Sequence, residues 1–169
     1  MELIMACLML VSFYLLSRQA AVVSVSSKKV PKGQEKGVIV IDAGHGGEDP
    51  GMIGIKNLEE KGINLQIAKK LCVHLEKEGY TVVMTREKDQ GLYGESRNNR
   101  KAQDMQKRIR IIKETTPLLT VSIHQNSYQD PEVKGPQVFY YQDSTEGQRL
   151  AQILQTELNQ QLTVDRPRE

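Results

Sequence analysis

The sequence predicts an α/β domain with a largely parallel sheet and helices on both faces. Three observations lead there. Short apolar or β-branched runs alternate with segments of helical periodicity. The first run, VIVI at 38–41, is apolar at every position, as a strand covered on both faces should be. Two of the three histidines come just after such runs, His124 directly and His45 after three intervening residues, where open parallel sheets collect their chemistry.

Each element follows in order. Residues 64–78 set Leu65, Ala68, Leu71, Cys72 and Leu75 at spacings of three and four, predicting an amphipathic helix with Gly79 as its stop. TVVMT (81–85) predicts a short strand, and a basic stretch then predicts a helix with Ala102, Met105, Ile109 and Ile112 inward. LLTVSI (118–123) predicts the third strand and the aromatic QVFYY (137–141) a fourth. A last helix is expected at 145–162, with Leu150, Ile153, Leu154 and Leu158 inward. The order is β-α-β-α-β-β-α, without an internal repeat.

A chain of 169 residues suffices for one domain with a real core. Its 23 basic and 21 acidic residues are scattered, with no basic stripe and no Trp, which excludes a nucleic-acid footprint. Residues 3–16 form an apolar run broken by Ser12, the length of a signal-peptide core and short of the roughly 20 residues that span a membrane. No Lys or Arg precedes it, and Arg18, Lys28 and Lys29 follow. Residues 1–23 therefore read as a signal peptide or an uncleaved membrane anchor, 24–37 as a linker and 38–169 as the domain, placed outside the cytoplasm. Cys7 in the leader and Cys72 on a helix form no useful disulfide, and Cys72 reads as a structural thiol.

IDAGHGGEDPG (41–51) holds the chemistry. A dinucleotide fingerprint is excluded because Asp49 stands where its third glycine belongs, and a nucleophile elbow because His45 stands where Ser or Cys would. A metal ligand fits better, with His124 converging from another strand end. Spacing alone leaves this beside a plainer reading, two hydrogen-bonded strand-end histidines. A third ligand would decide, and Glu59 and Glu60 precede the first helix, where a carboxylate is favoured. His74, among Lys70, Glu76 and Lys77, reads as a solvated helix residue.

IVIDAGHGGEDPG, LEEKGINL, VMTR and VSIHQN, in that order, resemble the zinc-dependent N-acetylmuramoyl-L-alanine amidases of the bacterial cell wall, the Amidase_3 family. The similarity continues through KGPQVFYY to about residue 162, and the layout is most similar to amidases of spore-cortex maturation and germination. The resemblance implies Zn²⁺ on His45, Glu60 and His124. Glu60 is chosen over Glu59 because the family's glutamate directly precedes lysine in E-K-x-x-N-L, here Glu60, Lys61, Asn64 and Leu65. It implies peptidoglycan as substrate, with hydrolysis of the amide between N-acetylmuramic acid and L-alanine, and in a spore former a location between the forespore membranes. An accessory protein is left unidentified.

The family's proton-transferring glutamate lies in a late V-E-x-G-F-x-S-N strand. None of Asp130, Glu132, Asp143, Glu146, Glu157, Asp165 and Glu169 has that context, so no catalytic carboxylate is assigned. The expectation is an amidase domain lacking its C-terminal strand and helix. Two readings from other classes stand beside it: a non-catalytic peptidoglycan-binding module, and a zinc peptidase acting on wall peptides.

Overall fold

The computed structural model describes residues 36–94, 98–128, 130 and 133–162. The expected leader, most of the linker, and the carboxylates Glu132, Asp165 and Glu169 lie outside them. Two compact units meet at His124 and Gln125, and each is treated by itself.

The first unit is built on strand β1 (Val38–Ala43), buried from Ile39 onward. It pairs in parallel with β2 (Thr81–Met84) on one side and β3 (Leu119–Ile123) on the other, giving the order β2-β1-β3. Helix α1 (Glu60–Lys77) packs on all three strands, and α2 (Arg100–Thr115) packs on β1. Alternate strand residues point to opposite faces. Ile39, Ile41 and Ala43 meet Ala68 of α1, with Leu65, Leu71, Cys72 and Leu75 around them, while Asp42 turns the other way to Arg108 of α2. The α/β class and the helix on each face are as the sequence predicts. α1 starts a turn earlier than its apolar spacing suggested, so Glu60 is its first residue rather than a residue preceding it.

The inward face of α2 departs from the apolar spacing. Met105 and Ile109 are exposed, and the buried residue is Arg108, 4% exposed. The cause is polar demand at the end of β1: Arg108 Nη1 donates to Asp42 Oδ1 at 2.6 Å and to the Ala43 carbonyl at 2.8 Å, and Nε donates to Asp104 Oδ2 at 2.5 Å. Thr85 and Ser122 hydroxyls, each 2.8 Å away, complete the Asp42 carboxylate.

In the second unit, α3 (Thr145–Gln161) begins at Ser144, whose hydroxyl accepts from the Gly147 N–H at 3.0 Å. The strand expected at 137–141 is not formed. Its backbone is met by a side chain instead, with Gln155 Oε1 accepting from the Val138 N–H at 2.8 Å and Nε2 donating to the Pro136 carbonyl at 3.0 Å. The same bonds turn Gln155 and Ala151 inward, leaving Ile153, Leu154 and Leu158 exposed against expectation. No helix among the described residues is long and apolar enough to cross a membrane.

Burial pushes the Asp42 carboxyl up, but the hydrogen bond and charge of Arg108 and the hydroxyls of Ser122 and Thr85 outweigh it and hold the group below its ordinary value. A depressed carboxyl stabilises the fold fully above its unfolded value, about 3.9, and loses that contribution as pH falls through the folded value. Asp42→Asn, which leaves Arg108 buried with Asp104 as its remaining carboxylate, should lower unfolding free energy at neutral pH by about 3 kcal/mol. Denaturant titrations across the acid range should also show a shallower loss of stability below about pH 4 in the variant than in the unaltered protein. Equal acid slopes would contradict this role.

Candidate metal centre

Parallel pairing places the ends of β1 and β3 side by side, at the point where the chain crosses from one side of β1 to the other. The Gly44 N–H donates to the Ile123 carbonyl at 3.0 Å, so His45 and His124 leave adjacent strands at one edge. Their rings meet edge to face with centroids 4.8 Å apart. Gly44 is required for this approach, since a Cβ there would run into the His124 ring.

Glu60 comes from the start of α1 and is 3% exposed. Its Oε2 accepts from the Met52 N–H at 2.9 Å, and Oε1 accepts from Asn64 Nδ2 at 3.1 Å. Asn64, fully buried, shares that amide with the Gly44 carbonyl at 3.3 Å. Glu60 Oε1 lies 3.3 Å from His45 Nε2 and 3.1 Å from His124 Nδ1. One atom from each of the three residues falls within 4.8 Å of the others.

The protonation pattern suits a cation. His45 Nδ1 is 3.0 Å from Asp49 Oδ2. An ionised carboxylate only accepts, so Asp49 favours the tautomer with the proton on Nδ1, which turns Nε2, 3.3 Å from Glu60 Oε1, to a metal bound between them. A carboxylate behind a histidine in this way fixes tautomer and ring orientation in metal sites. Burial pushes the Asp49 carboxyl up, and the hydrogen bonds from His45 and the Gly51 N–H, with the charge of Lys101, bring it below its usual value. His45 sits at φ +61°, a conformation a non-glycine residue seldom adopts, and Arg108 Nη2 holds it by donating to its carbonyl at 2.7 Å.

All three residues singled out in the sequence thus come together. Glu59 does not, being half exposed and paired with Lys61 at 3.2 Å. His74 is exposed on α1, and Cys72 packs beside the core with its thiol pushed up, chiefly by burial. Asp49, Asn64, Arg86 and Arg108 were not read as site residues, although Asp49, Asn64 and Arg86 stand inside the quoted motifs. Arg108 carried no signal beyond a basic helix.

The fold and site define a class: an α/β domain carrying a two-histidine, one-glutamate centre at the carboxyl edge of its sheet. The chain belongs to the N-acetylmuramoyl-L-alanine amidase family Amidase_3, whose model matches residues 39–168. It is 38% identical over 130 residues to the germination-specific N-acetylmuramoyl-L-alanine amidase of Bacillus subtilis, covering 74% of this chain and 54% of that protein. A putative N-acetylmuramoyl-L-alanine amidase of Buchnera aphidicola is 36% identical, covering 62% and 40%. The chain thus spans about half the length of the curated relatives it matches. Among solved structures, the CwlD amidase of Clostridioides difficile in complex with the GerS lipoprotein matches with TM-score 0.75 and 34% identity, over 79% of this chain and 70% of that one. The amidase AmiC2 of Nostoc punctiforme matches with TM-score 0.65 and 34% identity, over 80% and 68%.

His124→Ala should abolish stoichiometric zinc in the folded protein, and His74→Ala should leave it unchanged, by metal analysis after gel filtration. Asp49→Asn should weaken zinc binding on the order of 10- to 100-fold. One tightly held zinc in folded His124→Ala would refute the assignment.

Proposed function

We propose that the protein is an extracytoplasmic, zinc-dependent amidase that hydrolyses the amide between N-acetylmuramic acid and L-alanine in peptidoglycan, in maturation of the spore cortex. The observation that carries this reading is the convergence of His45 Nε2, Glu60 Oε1 and His124 Nδ1 in a chain of this family. The germination-specific relative supports the cortex role, and the GerS complex supports including a protein partner. In this reading, residues 1–23 direct export or anchor the chain, 24–37 form a linker, and 38–169 carry the catalytic domain.

His45, Glu60 and His124 would hold the zinc, which when bound polarises a carbonyl and acidifies a water. The chain's own residues supply the order around it. Asp49 sets the His45 tautomer, and Asn64 with the Met52 N–H fixes both oxygens of Glu60. Glu60 is enclosed while the His124 side chain is 51% exposed, so substrate approaches from the His124 side. Glu60 is committed to His45 and His124, Asp49 to His45 and Glu59 to Lys61, which leaves proton transfer to the leaving amine to another carboxylate.

Purified peptidoglycan treated with the protein should release stem peptides beginning with L-alanine, and a chelator should stop the release. New reducing sugar ends would indicate a glycosidase. New amines within the peptides alone would indicate a peptidase, and zinc-loaded protein that binds peptidoglycan without releasing any product would indicate a binding module.

A further inference from the structure

Glu60 and the His45 loop belong to different parts of the chain, and something must hold them at ligand separation. Lys61 directly follows Glu60, and its side chain is only 13% exposed. An ammonium has three N–H donors. Here three acceptors surround it: the Gly47 carbonyl at 2.8 Å, Asp89 Oδ2 at 3.0 Å and Glu59 Oε2 at 3.2 Å. The other Asp89 oxygen, Oδ1, accepts from the Gly47 N–H at 2.9 Å. The bonds therefore close a ring, from Gly47 N–H to Asp89, from Asp89 to Lys61, and from Lys61 back to the Gly47 carbonyl.

Gly47 lies two residues after His45, at φ +61°, and a Cβ there would stand 2.6 Å from the Gly91 nitrogen and 2.7 Å from the Tyr93 hydroxyl. That hydroxyl accepts from the next N–H, of Glu48, at 2.9 Å. Arg86 ties the same three segments, donating to the Gly44 carbonyl at 2.8 Å, the Lys61 carbonyl at 2.8 Å and the Lys88 carbonyl at 3.2 Å. The segment 88–93 is thus bonded to the histidine loop and to the start of α1 together.

We infer that the Lys61–Asp89 pair, closed on the backbone of Gly47, is a positioning device that sets the distance between His45 and Glu60 for metal binding. The inference rests on the metal-site reading above. Asp89 is half exposed, so its ion pair adds little to global stability. Its effect falls on the geometry of the loop, and metal affinity reports that geometry.

The test compares zinc affinity, by competition with a chromophoric chelator, with thermal melting of the metal-free protein. Asp89→Ala and Lys61→Met should each raise the zinc Kd on the order of 10- to 100-fold. The double variant should be no weaker than the weaker single one, because the ring opens once. Asp89→Asn, which keeps an acceptor for Gly47 and loses the charge facing Lys61, should fall between Asp89→Ala and the unaltered protein. Amide exchange at Gly47 should quicken in Asp89→Ala while melting moves little. A folded Asp89→Ala with unchanged zinc Kd overturns the inference, as do single losses that simply add. If Lys61→Met does not fold, the two Asp89 variants decide alone. Failure of the unaltered protein to bind zinc defeats the metal-site reading itself, whereas tight binding indifferent to Asp89 defeats only the ring.

Discussion

Everything at the site depends on two buried guanidiniums beneath one turn of backbone. Where β1 ends, the chain leaves the ladder and three successive carbonyls, of Ala43, Gly44 and His45, need donors away from bulk water. Arg86 meets the first two at 2.8 Å, and Arg108 meets the first and third at 2.8 and 2.7 Å. Leaving any one of them unsatisfied would cost about 1–3 kcal/mol. Burial and the neighbouring Arg108 push the Arg86 guanidinium down, while Asp89, Asp42 and Asp104 oppose them. For Arg108, burial lowers and the bonds to Asp104 and Asp42 raise, leaving it above its usual value. Both guanidiniums stay charged, and Asp42 and Asp104 pair directly with Arg108 beneath the loop. Lysine could not replace either, because a single ammonium lacks the planar fork that reaches separate carbonyls.

With that turn held, the remaining geometry follows. His45 takes its left-handed conformation, Asp49 reaches back to its ring, and Asn64 links the Gly44 carbonyl to Glu60. The site therefore joins elements far apart in sequence through backbone carbonyls more than through side-chain pairs. This explains how a sheet of three described strands brings the three side chains together at its edge.

Legibility in the sequence followed the kind of force involved. The unbroken apolar run of β1 and the three-and-four spacing of α1 state burial directly, and two histidines after apolar runs mark one sheet edge. Choosing Glu60 over Glu59 needed the family resemblance, because adjacent residues at a helix start look alike until one is buried. Arg108 was hidden, since an arginine in a basic helix reads as solvated, and Met105 and Ile109 suggested a face that the fold exposes. QVFYY carries strand propensity, but the amide of Gln155, 17 residues after Val138, satisfies its backbone instead. Partnerships set by such separations have no local signature. Lys61 with Asp89 is another, although each residue stands in or beside a quoted motif.

In this reading the backbone turn brings three ligands from three chain segments to one metal ion. Anomalous diffraction at the zinc edge, from crystals of the zinc-bound protein, tests that claim most directly. One strong peak per chain is expected, bonded to His45, Glu60 and His124, with Arg86 and Arg108 still on the carbonyls of residues 43–45. A peak at His74 or Cys72, or one lacking any of the three ligands, would contradict it.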